Sequence, residues 1–455
     1  MAVWYPDLVA DQKPRYLAIV NALAADIASG RIVEGTRLPP QRDLAERLGF
    51  SVGTVTKAYS EAERRGLISG EIGRGTYVRA RPSPHSTSSE TKKIINLALN
   101  VAPPIGEGEF IAAAMRAVAE RGPLGNLLDY SPHQGRRDHR EIILSSLAAL
   151  GLTAEPANVV ITHGAQHGIL IALSLIAKAG DTVLTECFTY SGIASLAAYN
   201  GYRLHGVGLD EEGLLPDALD RAFSETGSRI LYSMPTFQTP TNAIMSAERR
   251  SAIGAVLRRH KAYLVEDDVY SFLSPDPIRP LSAEIPDQAF YITSFAKSVA
   301  PGLRVGAAIV PIAYREKISS ALRATSWMAA PITAEILAYL IEAGDLNRLI
   351  ALKRAEAARR TDVARRLLPL DAKPNRTPSF HVWLPVEDQG SLAGLVAKVG
   401  LHGVSLAPPT YVAPERAIPS GIRLCLGAPS SIAELEFALT IVAEALGSDD
   451  PLATL

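Results

Sequence analysis

Two cysteines, Cys187 and Cys425, are all that 455 residues contain. So few exclude a disulfide framework and point to a reducing compartment, with both residues expected as buried thiols. Excess charge is missing too: 46 Lys and Arg stand against 47 Asp and Glu, a net charge of −1. The whole molecule is therefore no polycation, and any nucleic-acid binding must be local. No apolar run reaches membrane-spanning length, and no signal-peptide pattern precedes the first charged residues. These absences lead to the expectation of a soluble, cytoplasmic protein. Internal repeats are absent, and the one low-complexity stretch is 81-RPSPHSTSSETKK-93. It is rich in Ser, Pro and Thr, holds almost nothing that could pack, and reads as a linker. Apolar residues are what the chain has in quantity. At 47% hydrophobic and 20% charged, it has ordinary globular composition and room for two or three domains. The linker at 81–93 divides it into residues 1–80 and 94–455.

In the front part, residues 15–29 place Leu17, Val20, Leu23, Ala24 and Ile27 on one helical face, ended by Gly30. Pro39 and Pro40 introduce a second helix, 41-QRDLAERL-48, which Gly49 stops. Ser51 is a good N-cap for a third, 52-VGTVTKAYSEAERRG-66. Two helices joined by a short Gly-containing turn make a helix-turn-helix pattern. The alternation in 67-LISGEIGRGTYV-78 reads as a β-hairpin. By spacing alone this could be either a small helical cap or a DNA-binding head, and charge decides little. Residues 1–79 hold 11 Lys and Arg against 9 Asp and Glu, a surplus of two. The proposed recognition helix opens with Ser51, Val52, Gly53 and Thr54, uncharged residues suited to close backbone approach. Arg42, Lys57, Arg74 and Gly75 complete the candidate phosphate and groove contacts. So few cations predict weak, salt-sensitive binding by one head, so two are needed.

The string 37-RLPPQRDLAERLGFSVGTVTKAYSEAERRGLISGEIGRGTYV-78 resembles the winged helix-turn-helix of the GntR regulator family nearly end to end. It carries the L-P-x-x-R-x-L-A core, the T-V-x-x-A-Y helix and the G-x-G-T wing. One departure stands out: many members carry a basic residue where this chain has Val52. The resemblance implies binding of double-stranded operator DNA.

In the larger part, strand-like runs such as 158-NVVIT-162, 182-TVLTE-186, 229-RILYSM-234 and 262-AYLVEDD-268 alternate with helical patterns. That alternation predicts an α/β fold with a mostly parallel sheet. Within 293-TSFAKSVAPGLRVG-306, Lys297 lies just past a buried strand, where an ammonium is expensive unless paired or chemically used. Burial lowers a lysine's pKa and frees the amine for Schiff-base chemistry. Ser294 and Arg304 could flank a phosphate beside that amine, which suggests pyridoxal phosphate. Asp267, at the end of a strand, could protonate a pyridine nitrogen, with Tyr270 close by, although strand-end acids are more often solvated. Gly164 and Ala165, at a strand-turn-helix junction, form an anion site. Tyr190 could stack on an aromatic ring or fill the core. His163 and His167 are four apart, but a metal needs a further ligand and nothing nominates one, so no metal is expected.

In combination and order these signals resemble fold-type I aminotransferases from residue 94 to the C-terminus. The matches are the strand-Gly-Ala turn, E-x-x-x-Y, P-T-x-x-x-P-T at 235–241, D-x-x-Y, S-F-x-K with Arg seven residues later, and R-L at 423–424. The resemblance implies that Lys297 forms the internal aldimine, Asp267 pairs with the pyridine nitrogen, Tyr270 bonds the ring oxygen and Tyr190 stacks on the ring. Ser294, Arg304, Gly164 and Ala165 would bind phosphate, Arg423 a carboxylate of substrate or effector, and Tyr130 a phosphate, across a dimer interface if need be. Cys425 is close enough to Arg423 in sequence to line the site. A departure lies at 235-PTFQTPTN-242, where Thr239 takes the place of the family's Asn and Asn242 that of its Gly.

A GntR-type head on an aminotransferase-like body resembles the MocR subfamily of bacterial transcription regulators. The implied protein is a homodimeric, cofactor-dependent regulator answering to an amine or amino acid, or to the cofactor itself. The rival is a working aminotransferase with an accessory head. An empty, purely structural body is disfavoured by the retention of Lys297, Asp267 and Arg304.

Overall fold

The computed structural model describes residues 4–6, 14–28, 31–32, 36–64, 67–71, 75–78, 94–122, 124–370, 373–386, 389–412 and 421–447. The chain forms two compact units, Met1–Thr91 and Lys92–Leu455. The linker expected at 81–93 lies outside the described residues.

The first unit contains helices α1 (Arg15–Ala28), α2 (Gln41–Leu48) and α3 (Val52–Arg64), then strands β1 (Ile68–Glu71) and β2 (Gly75–Val78) paired antiparallel. Gly49 ends α2 in the left-handed conformation at φ 63°, returning its N–H to Ala45 and Glu46. Ser51 then caps α3, its Oγ accepting from the Thr54 N–H at 3.3 Å. The apolar stripes close on one core, in which Val20, Leu44 and Val55 have no exposed surface. Much of the family-like string serves packing: Leu38, Pro39, Leu44, Ala45, Val55, Ala58 and Tyr59 are buried. The Tyr59 hydroxyl donates to the Pro39 carbonyl at 2.8 Å, tying α3 to the approach to α2.

The second unit is built on a seven-stranded sheet. Its order is Val159–Thr162, Gly306–Ile309, Ala289–Ser294, Tyr263–Asp267, Ile230–Ser233, Thr182–Glu186, Arg203–Val207. Gly306–Ile309 runs antiparallel to both neighbours and the other pairings are parallel. The four strands Val159–Thr162, Ile230–Ser233, Ala289–Ser294 and Tyr263–Asp267 are buried apart from Tyr263, as a sheet covered on both faces requires. A smaller lobe pairs His381–Pro385 with Gly421–Cys425, and Ile95–Asn96 with Val404–Ser405. Its core is shared with the helices Asp345–Leu367, Gln389–Leu401 and Ile432–Gly447. Among the described residues no helix is long and apolar enough to cross a membrane.

The two units have separate cores, so Leu44→Ala, at a fully buried site in the first, is expected to cost about 2–5 kcal/mol there. Calorimetry should show the first unit's transition moving to lower temperature while the second stays in place. A single transition moving as a whole would contradict separate cores.

Candidate functional site

Parallel α/β sheets gather their sites at the carboxyl ends of the strands. Here Ser233, Asp267 and Ser294 end neighbouring strands, with Thr162 one strand beyond, and the loops after them carry most of the candidate residues.

Two lysines of the second unit are deeply placed, and their partners differ. Lys353 has no exposed surface, yet it donates to the Pro103 carbonyl at 2.6 Å and pairs with Glu107 at 3.3 Å. It is a compensated structural charge. Lys297 donates to the Asn100 carbonyl, and among the described residues no carboxylate forms an ion pair with it. Burial, with the Arg423 charge adding to it, pushes the Lys297 amine down to about 8. An appreciable fraction is therefore the free amine near neutral pH.

Glu266, Asp267 and Asp268 are consecutive and all buried, so the solvated alternative for these strand-end acids does not hold. Glu266 accepts from the Leu281 and Ser282 N–H groups at 3.0 and 2.6 Å and from the Ser282 hydroxyl. Asp268 accepts from the Tyr291 hydroxyl at 2.9 Å and the Ser271 N–H at 3.1 Å. Asp267 accepts from the Tyr232 hydroxyl at 2.8 Å on Oδ2, while its buried Oδ1 has no partner among the described residues. Burial pushes Asp267 up to about 7, opposed by the Tyr232 hydrogen bond. Among the described residues five further buried oxygens have no partner: Thr239 Oγ1, Asn100 Oδ1, Gln166 Oε1, Asn242 Oδ1 and Ser326 Oγ.

Asp267, Tyr190 and Arg423 each act electrostatically on Tyr270, and Asp267 and Arg423 on Lys297, so these five side chains share one locale. The Lys297 ammonium lies 5.9 Å from the centre of the Tyr270 ring. Burial raises both phenols, that of Tyr270 beyond any physiological range, and each stays a hydrogen-bond donor.

Where the Arg304 charge reaches Tyr190, the backbone forms a cradle. Gly164, at φ 77°, precedes the helix Ala165–Ile176, whose first N–H groups lack helical partners. A Cβ on Gly164 would lie 3.1 Å from the Arg304 guanidinium, which donates to the His163 carbonyl at 2.9 Å. A Cβ on Gly306 would lie 2.9 Å from the Gly164 Cα, so only glycine lets this strand approach the turn so closely. Ser294 pairs in register with Gly306, and its hydroxyl donates to the Val305 carbonyl at 3.3 Å. Tyr130 stands apart, 80% exposed, with its ring 5.9 Å from that of Trp327. His163 and His167 face the Met328 carbonyl and the Thr325 hydroxyl at 3.1 and 2.9 Å. No group of three metal-binding side chains occurs among the described residues.

Asn242 occupies a left-handed backbone, φ 65°, which asparagine tolerates better than other non-glycine residues. Its Nδ2 donates to the Pro374 carbonyl at 2.8 Å. The structure also adds residues that sequence reasoning missed. The segment Ala98–Asn100 brings carbonyls to Arg423 at 2.9 Å, to the buried Cys425 thiol at 3.3 Å, and to Lys297. Asn100 Nδ2 meets His381 Nδ1 at 3.2 Å, leaving His381 Nε2–H for the Gln238 carbonyl at 3.4 Å. Burial first, then the Arg423 charge, hold His381 down to about 3, so it is neutral. No motif announces Asn100 or His381. Gln166, next to the Gly164–Ala165 turn, and Tyr232, inside a strand, had position as their only signal.

In the first unit, α3 buries Val55, Ala58, Tyr59 and Ala62 and exposes Val52, Gly53, Thr56, Lys57 and Ser60. Ser51 and Thr54 hydroxyls lie 2.9 Å apart, and Thr56 donates to Gln41 at 2.7 Å. The exposed Lys57 places its ammonium 4.4 Å from the Tyr16 ring centre. Arg42 is exposed on α2, Gly75 opens β2, and Arg74 lies outside the described residues.

Residues 15–78 match the bacterial regulatory proteins of the gntR family, and residues 92–441 match aminotransferase class I and II. The uncharacterized HTH-type transcriptional regulator YdeF of Bacillus subtilis is 27% identical over 449 residues, 96% of each chain. PtsJ of Salmonella typhimurium, a vitamin B6 salvage pathway transcriptional repressor, is 26% identical, covering 84% of this chain and 88% of its own. Among solved structures, an archaeal alanine:glyoxylate aminotransferase superposes with a TM-score of 0.71 at 22% identity, covering 79% of this chain and 92% of its own.

A carboxyl that titrates higher in the folded than in the unfolded chain binds the extra proton only when folded. Asp267, near 7 instead of its ordinary 3.8, thus contributes stability at low pH that is lost as pH rises through about 7. Asp267→Asn is expected to flatten the fall in melting temperature between about pH 4 and 7, the bounds set by that shift. An unchanged slope in the variant would contradict the burial assigned to Asp267.

Proposed function

Since this chain belongs to the aminotransferase class I and II family and carries a gntR-family head before it, the domain order of the MocR subfamily, we propose that it is a transcription regulator that binds double-stranded DNA and senses a small amine or amino acid, or pyridoxal 5′-phosphate itself, at Lys297. The observation that carries this reading is a half-buried amine without a carboxylate partner, at the strand ends of a chain that also holds a helix-turn-helix. The similarity to full-length regulators supports a sensor over an enzyme.

Pyridoxal 5′-phosphate, when bound, supplies an aldehyde that captures primary amines and a ring that withdraws electrons. The buried oxygens without partners and the glycine-lined approach beside Arg304 fit such a group. Lys297 would hold it covalently, and the Gly164 and Ala165 N–H groups, Ser294 and Arg304 would take its phosphate. Asp267 would turn its unpartnered Oδ1 to the ring nitrogen while Tyr232 fixes Oδ2. Tyr270 and Thr239 would donate to the ring oxygen, and Tyr190 would cover the ring face. Arg423 would grip an effector carboxylate in a bidentate pair.

Exposure of Tyr130 and Trp327 supports a homodimer in which Tyr130 reaches the other protomer's phosphate. An effector that binds two dimer conformations unequally would shift their balance and with it operator affinity. DNA as the partner puts this work in the cytoplasm. The full catalytic complement, Lys297 with Asp267, favours a second reading, an aminotransferase with an accessory head. Thr239 weighs against it, because its hydroxyl is shorter than the Asn amide it replaces and holds the ring less closely.

Both readings are tested by the visible spectrum of the protein with pyridoxal phosphate, titrated with amino acids and amines while oxo-acid is assayed. A spectral change without accumulating product is the outcome expected of the regulator, and steady oxo-acid release would make the protein an enzyme. Lys297→Ala should abolish covalent attachment while the head stays folded. A reducible imine in that variant would refute the lysine assignment. Because the free amine is the nucleophile, the attachment rate of the native chain should climb with pH and level off above about 8.

A further inference from the structure

Val52 is 45% exposed and is the one large hydrophobic side chain exposed on the first unit among the described residues. It opens α3, and helix side chains lean toward the N-terminus, so its isopropyl group reaches past the helix end. In a helix-turn-helix those N-terminal residues face the base edges. Its polar neighbours there are engaged within the head. Ser51 and Thr54 hold one another across the cap, the Thr56 hydroxyl donates to Gln41, and Lys57 lies over Tyr16. Donation to a base by the Thr56 hydroxyl would require breaking its bond to Gln41, whereas Val52 can pack without breaking any. In the major groove the apolar feature offered by the base pairs is the C5-methyl of thymine.

We propose that Val52 is a specificity-determining residue that packs on a thymine methyl, one in each operator half-site. The assignment rests on the DNA-binding reading above. Burying one such methyl is a contact of about fourfold in affinity per half-site.

Duplexes selected from a random pool by the full-length protein with pyridoxal phosphate supply the operator. Each thymine is then replaced singly by deoxyuridine, which removes the methyl alone, and affinity is read by fluorescence anisotropy. The expected result is one position per half-site where deoxyuridine weakens the native chain about fourfold and leaves Val52→Ala unchanged. Equal sensitivity of Val52→Ala at that position, or no sensitive thymine in the native chain, overturns the assignment. So does a change of oligomeric state in Val52→Ala, which would make Val52 a contact between copies. A pool that yields no bound duplex removes the DNA-binding reading itself and this assignment with it.

Discussion

The chemistry at the strand ends depends on one lysine that is largely withdrawn from water with no carboxylate paired to it. An ammonium in a low-dielectric interior is costly, and pairing it would be the cheap solution, as Lys353 and Glu107 demonstrate elsewhere in the same unit. Lys297 receives a backbone carbonyl instead. Its nearby acid, Asp267, is buried beside Tyr232 and pushed toward neutrality rather than set against the amine as an ion pair. The consequence is an amine and a carboxyl that both titrate near physiological pH, which a solvated or salt-bridged pair would not do.

The head follows a different division of labour. The residues that make its string recognisable are mostly packing residues, and those available for contact lie between them. Leu44, Val55, Ala58 and Tyr59 are inside, while Val52, Thr56 and Lys57 are outside. A resemblance carried by the interior identifies the scaffold and says little about which bases it reads.

The strands were legible because β-branched runs bounded by glycine and polar turns have few alternatives. All four quoted runs, and the one before Lys297, fall on strands of one sheet to within two residues. Lys297, Asp267, Tyr270, Tyr190 and Arg423 were legible through motif spacing, and the sheet gathers them. Burial of the acids was not legible: 264-LVEDDVY-270 carries no mark saying that Glu266 and Asp268 are wrapped by Ser282 and Tyr291. Asn100 and His381 were invisible for a related reason. They are 281 positions apart, and only the pairing of distant strands brings them to 3.2 Å.

That separation sets a timetable. The first unit's described core closes within residues 4–78, whereas the surroundings of Lys297 need Ala98–Asn100 to meet Arg423 and Cys425 from the other end of the chain. At about 5–20 residues per second those roughly 325 intervening residues take about 16 to 65 seconds to make. During synthesis the described contacts of the first unit can thus all form before Arg423 and Cys425 have been made.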